Sequence, residues 1–165
     1  VSIQHVISTM ERLTELHQQL FDSGEEKKQA IIKNDIEKLT QIMTQENRLL
    51  KQVAEVEKER VDAAYAFLHE KGIRSQLNLT VTELLRLVFN VEERFQLQDS
   101  QNRLLNVIHA LKRQNEVNQQ LIHHALEFID FSLNVFVGAE DDLIYQNPAH
   151  QSSNLKKNNF FDTRA

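Results

Sequence analysis

The chain contains no cysteine, so its alphabet excludes disulfides, thiolate nucleophiles and thiolate metal sites, as fits a reducing compartment. Three glycines and one proline in 165 residues are too few for a sheet protein with tight turns or for a glycine-rich phosphate loop. No uninterrupted apolar run approaches the roughly 20 residues that a membrane span needs. The first residues lack the basic stretch and apolar core of a secretory signal. A formal net charge of −5, with Lys and Arg scattered among acids, leaves no basic face to neutralise phosphates, so no nucleic acid is expected as a partner. The expectation is a cytoplasmic chain, without membrane insertion, whose length suits one domain with its own core.

What the chain has in quantity is Leu, Gln, Glu, Lys, Asn and Ile, a composition that predicts an all-α fold. From Ile3 the apolar positions recur as Val6, Met10, Leu13, Leu20 and Ile31, a long amphipathic helix interrupted by His17, Gly24 and Lys27. Ser23 could cap a restart at Gly24. One interior glycine costs only about 1 kcal/mol relative to alanine, however, so the helix is read as continuous. Asn34, followed three residues later by Glu37, is a capping-box variant that predicts the start of a second helix. Its seam reads Ile36, Leu39, Met43, Glu46, Leu50, Val53, Glu57, Arg60, Ala64 and Phe67, with Ile42, Leu49 and Val56 widening one side. Gly72 before Ile73 suits a Schellman ending.

Two helices of roughly 45 to 55 Å, at about 1.5 Å per residue, with a short junction predict an antiparallel hairpin. The stretch 73–79 reads as a connector. Thr80 and Glu83 form a capping box that opens a short third helix, which weakens between Asn90 and Asp99. A fourth helix follows, with a seam of Leu104, Ile108, Leu111, Asn115, Asn118, Ile122, Ala125, Ile129, Ser132 and Phe136. Gly138 is expected to end it. The expected organisation is one elongated, coiled-coil-like bundle of three to four helices over residues 1–137 and a flexible tail over 138–165.

Catalytic and metal patterns do not assemble. His69 and Glu70 begin like a zinc protease motif but lack the second histidine, and the adjacent His123 and His124 point about 100° apart on a helix. Glu46 and Glu57 lie about three turns apart without pocket-forming loops, so they and Arg60 read as paired ions or solvated edges of a polar seam. No metal, cofactor or enzymatic activity is expected.

The residues that demand an explanation are Leu121, Ile122, Ala125, Leu126, Phe128, Ile129, Phe131, Leu133, Val135, Phe136 and Val137, broken by His123, His124, Glu127, Asp130, Ser132 and Asn134. They surround nearly the whole helix, and a helix apolar all round must be buried all round. The chain's own tail or third helix, self-association into a homodimer, or a partner's amphipathic helix would each cover them. Asn115 and Asn118 precede this run at seam positions, where an asparagine fixes register and neighbour number at some cost in stability. The plainer alternative is that both face solvent.

A long first helix, a second carrying Glu46 and Arg60, then RQNEVNQQLI, the run through FIDFSL and DLIY after it together resemble the FlgN-like flagellar export chaperones. The resemblance covers most of residues 1–147. It implies a non-enzymatic chaperone of flagellar type III secretion that holds the C-terminal helical segments of hook-associated proteins and delivers them to the export gate at the cytoplasmic membrane. It seats the client on the apolar helix, from Asn115 and Asn118 through Phe136. It also makes Tyr145 the aromatic residue that docks to the export gate, although Gln146, Asn147 and Pro148 follow it where many relatives carry a glycine. A tyrosine covering the end of the bundle is the alternative. A structural coiled coil that pairs with its own copy is the alternative to the chaperone as a whole.

Overall fold

The computed structural model describes residues 2–74 and 79–144. They form four helices, α1 (Ser2–Ile32), α2 (Ile36–Glu70), α3 (Val81–Leu87) and α4 (Val91–Ile144), and no strand among the described residues. The all-α expectation holds, and α1 runs through Gly24 without a restart. The chain divides into two units, Val1–Leu126 and Glu127–Ala165.

The junctions are set by short polar side chains. Asn34 takes the left-handed backbone, at φ 55°, a conformation that asparagine tolerates better than most residues. The Asp35 N–H donates to the Ala30 carbonyl at 2.9 Å and the Asn34 N–H to that of Ile31 at 3.1 Å, which closes α1 in a Schellman motif. Asp35 then opens α2 by accepting from the Lys38 N–H at 2.9 Å. The expected cap at Asn34 is therefore corrected by one residue: Asn34 ends α1 and Asp35 begins α2. At the other end Gly72, at φ 73°, and the Ile73 N–H bond to the Leu68 carbonyl at 2.9 Å make the expected Schellman ending. The Thr80–Glu83 capping box is present in both directions. Asn90 opens α4, its Oδ1 accepting from the Glu92 and Glu93 N–H groups at 2.9 and 3.1 Å.

Cross-helix pairs give the directions. Arg12 pairs with Glu59 and Lys27 with Glu46, so α1 and α2 are antiparallel, as the short junction requires. The Gln4 side chain donates to Gln96, Gln114 to Glu25 and Asn118 to the Gly24 carbonyl, separations of 92, 89 and 94 residues. A near-constant offset means that α4 runs parallel to α1 over this stretch. The main core lies where the start of α1, the end of α2, α3 and the start of α4 converge. Ile3, Val6 and Met10 meet Ala64, Phe67 and Leu68 there, closed by Leu84, Val88 and Leu97.

Two seams differ in part from the expectation. On α2 the expected Ala64 and Phe67 are buried, and so is the widening side of Ile42, Leu49 and Val56, continued by Ala63, whereas Met43 and Leu50 of the expected seam are 52% and 53% exposed. On α4 the positions turned inward are Leu97, Ser100, Leu104, Val107, Leu111, Gln114, Asn118 and Leu121, in steps of three and four, while Asn115 and Ile122 lie exposed beside them. Gly138 does not end α4, which continues to Ile144 with the glycine inside it. A helical glycine is a small cost, and a glycine ends a helix by taking the left-handed backbone that Gly72 adopts and Gly138 does not.

Candidate functional site

At Gly24 the side chain of Gln114 from α4 lies directly against the α1 backbone. A Cβ built on it would sit 2.0 Å from the Gln114 Oε1, so any larger residue would displace that amide. The Gln114 Nε2 donates to the Phe21 carbonyl at 2.9 Å and to the Glu25 carboxylate at 2.8 Å. One turn on, Asn118 is 3% exposed, and its Nδ2 donates to the Gly24 carbonyl at 2.9 Å. Helix carbonyls already serve the helix ladder, and their second lone pair is what these amides use. Gln114 was missed by reading the sequence from Ile108. Counting heptads from Leu97 and Ser100 selects it, and Gly24 opposite is the complementary signal.

Beside this layer α1, α2 and α4 enclose an open cavity of about 290 Å³. It brings together Glu46, Asn115, Asn118 and Ile122 of the sequence-derived residues, with Lys27 and Leu50. Lys27 Nζ lies 2.6 Å from Glu46, and the two side chains are only 19% and 15% exposed. Such shielding from water makes this pair less screened than the surface pairs. Glu57 and Arg60 belong to a different, 180 Å³ hollow with Val61, Tyr65 and Leu79. They pair with each other at 2.6 Å on α2, and the hydrogen bond to Glu57 raises the Arg60 pKa further against the opposing effect of burial.

The rest of the anticipated surface lies open or half-open. Leu121 and Ala125 are half-buried, whereas Ile122 and Leu126 are exposed. In the unit that begins at Glu127, Phe128, Ile129, Phe131, Leu133, Val135, Phe136 and Val137 are all exposed, and the Ser132 hydroxyl donates back to the Phe128 carbonyl at 2.8 Å. Tyr145 lies outside the described residues. A second apolar patch was not anticipated: Phe89, Val91 and Phe95 are 71% to 84% exposed around the Asn90 cap. Three large apolar residues within seven positions of a helix start were its sequence signal.

Among the described residues no group of His, Asp and Glu could hold a metal ion, and no helix is long and apolar enough to cross a membrane. The fold and surface define an all-α bundle that leaves a run of large apolar side chains in water. The chain belongs to the FlgN protein family, whose model matches residues 2–153 and whose members are flagellar export chaperones. It is 28% identical over 169 residues to the uncharacterized protein YvyG of Bacillus subtilis (strain 168), a match that spans the whole of both chains. No solved structure matches it.

Proposed function

We propose that the chain is a cytoplasmic, non-enzymatic chaperone that binds the C-terminal helical segments of hook-associated proteins. It keeps them from assembling prematurely and hands them to the type III export gate, with Tyr145 as the docking residue. Family membership supports the general role. The observation that carries the client reading is the stretch from Phe128 to Val137, whose seven large apolar side chains are 43% to 72% exposed. Burying one such side chain fully is worth about 1.5 to 3 kcal/mol, so a client helix laid on this surface recovers a large driving force. Phe128, Ile129, Leu133 and Phe136 supply the apolar contacts, and Ser132 leaves room between them.

The test mixes the full chain with the purified C-terminal segment of a hook-associated protein and measures complex formation by calorimetry. A stable complex is expected. The Ile129→Asp variant loses at least tenfold in affinity while its helicity by circular dichroism stays unchanged, because Ile129 is already 43% exposed. No complex, with both partners soluble, overturns the reading. A client-free dimer in light scattering that Ile129→Asp converts to monomer supports the self-pairing coiled coil instead.

A further inference from the structure

We infer that the groove between α2 and α4 beyond α3 seats a helix of the client, aligned with α3, and selects one that carries an uncharged hydrogen-bonding side chain at the level of Asn118. This rests on the chaperone reading and adds to it a place and a sequence requirement.

The groove continues an interface that the fold already uses. Leu84 and Val88 are buried with Ala64, Phe67 and Leu68 of α2 and with Leu97 of α4, and Gln101 of α4 donates to Thr82 of α3 at 3.4 Å. Ala64 belongs to a heptad line that runs back through Glu57 to Leu50 and Met43, and Gln101 to one that runs on through Ile108 to Asn115 and Ile122. One line of α2 and one of α4 that lead from the α3 end thus reach the 290 Å³ cavity, which Leu50, Asn115 and Ile122 line together with the Lys27–Glu46 pair. Leu50 and Met43 remain about half exposed there. The cavity is at the lower edge of the roughly 300 to 1,000 Å³ of small-molecule sites, and suits side chains projected from a helix.

The polar lining says what such a helix carries. Lys27 and Glu46 neutralise each other at 2.6 Å, and Asn115, Asn118 and Gln119 are neutral. A third charge brought in with the client would be buried without a counter-ion, which is strongly unfavourable. An Asn, Gln, Ser or Thr side chain meets the amides and the ion pair instead, while its apolar neighbours meet Leu50 and Ile122.

The absence of cysteine makes the test clean. Leu50→Cys carries a solvent-sensitive fluorophore, and Gln52→Cys, exposed on the same helix, is the control. Adding the C-terminal segment of a hook-associated protein shifts the emission of the first label to the blue and leaves the second unchanged. Leu50→Glu weakens segment binding at least tenfold with an unchanged melting temperature, since a half-exposed residue is not needed for folding. A benzophenone on the same cysteine marks the facing residue of the segment, and placing lysine at its nearest uncharged polar position lowers affinity at least tenfold. A silent label with unchanged Leu50→Glu binding, while Ile129→Asp still loses it, overturns the groove and leaves the chaperone reading intact. Failure of the wild-type chain to bind the segment overturns both. A blue shift that grows with protein concentration alone assigns the groove to a second copy, and one abolished by removing residues 145–165 assigns it to the chain's own end; either result overturns the inference. Equal binding of the lysine-bearing segment overturns the neutrality requirement.

Discussion

The end of the bundle closed by α3 and the level of Gly24 are built on opposite chemistries. Around Leu84 four elements meet mainly through aliphatic and aromatic side chains, and the buried Ser100 hydroxyl beside Met10 is satisfied by the Leu97 carbonyl of its own helix at 2.9 Å. Around Gly24 three helices meet through Gln114, Asn118, Lys27 and Glu46, and among the described residues the Ser23 Oγ, Gln114 Oε1 and Asn118 Oδ1 are buried without a hydrogen-bond partner. A buried polar atom left unsatisfied costs about 1 to 3 kcal/mol, so this layer adds little net stability. It specifies position instead: only one alignment of α4 puts amides on the Phe21 and Gly24 carbonyls. The comparison teaches that one end holds the bundle together while the other sets its register and keeps a partly open, polar-floored surface.

The largest effect that sharpens this division is expected from Leu84→Ala, which removes a fully buried side chain from the closed end and destabilises by about 2 to 5 kcal/mol in chemical denaturation. Gly24→Ala follows. The new methyl displaces the Gln114 amide from both its acceptors, and about 1 to 3 kcal/mol is lost. Combined with Gln114→Ala, most of the second loss disappears, a coupling that a double-mutant cycle measures. Equal additivity would break the claim that Gly24 exists to admit Gln114. Thr80→Ala removes one cap of α3 and costs about 0.5 to 2 kcal/mol.

The smallest effect is on pH dependence. The Thr80 backbone N–H, then its hydroxyl, holds the Glu83 carboxyl below the usual glutamate range. A depressed folded-state value means that the contribution is present above the ordinary glutamate range and is lost as pH falls through the lowered value. Thr80→Ala retains the backbone N–H and loses only the hydroxyl's share, so its acid-limb loss of stability is shallower than that of the parent chain in parallel acid titrations.

Much of the fold was legible because its signals are local. Thr80 with Glu83 and Gly72 with Ile73 act within one turn, and each does in the structure what its spacing implies. Asn34 was placed one residue off because asparagine serves equally well as a left-handed helix end and as an N-cap, and Asp35 next to it took the second role. Gly138 misled for the converse reason, since a glycine is compatible with a stop without compelling one. On α4 the line through Ile108, Asn115 and Ile122 is as apolar as the line through Val107, Gln114 and Leu121, so hydrophobicity alone does not choose between them. Asn118 lies on the shared line and was found either way. Asn115 sits at the rim of the cavity and Gln114 inside the bundle.

The sequence by itself determined that this protein is helical, that α2 closes at Gly72 and α3 opens at Thr80, that no thiol chemistry is open to it, and that its last helix carries more apolar surface than one seam can hide. These follow from composition, capping and periodicity, which operate over a few residues. Tertiary structure decided which of two adjacent heptad lines on α2 and α4 turned inward, because a shift of one residue leaves the 3.6-residue pattern intact. Only the shape of the opposing helix, with a gap at Gly24 and carbonyls able to accept from amides, distinguishes one phase from the other.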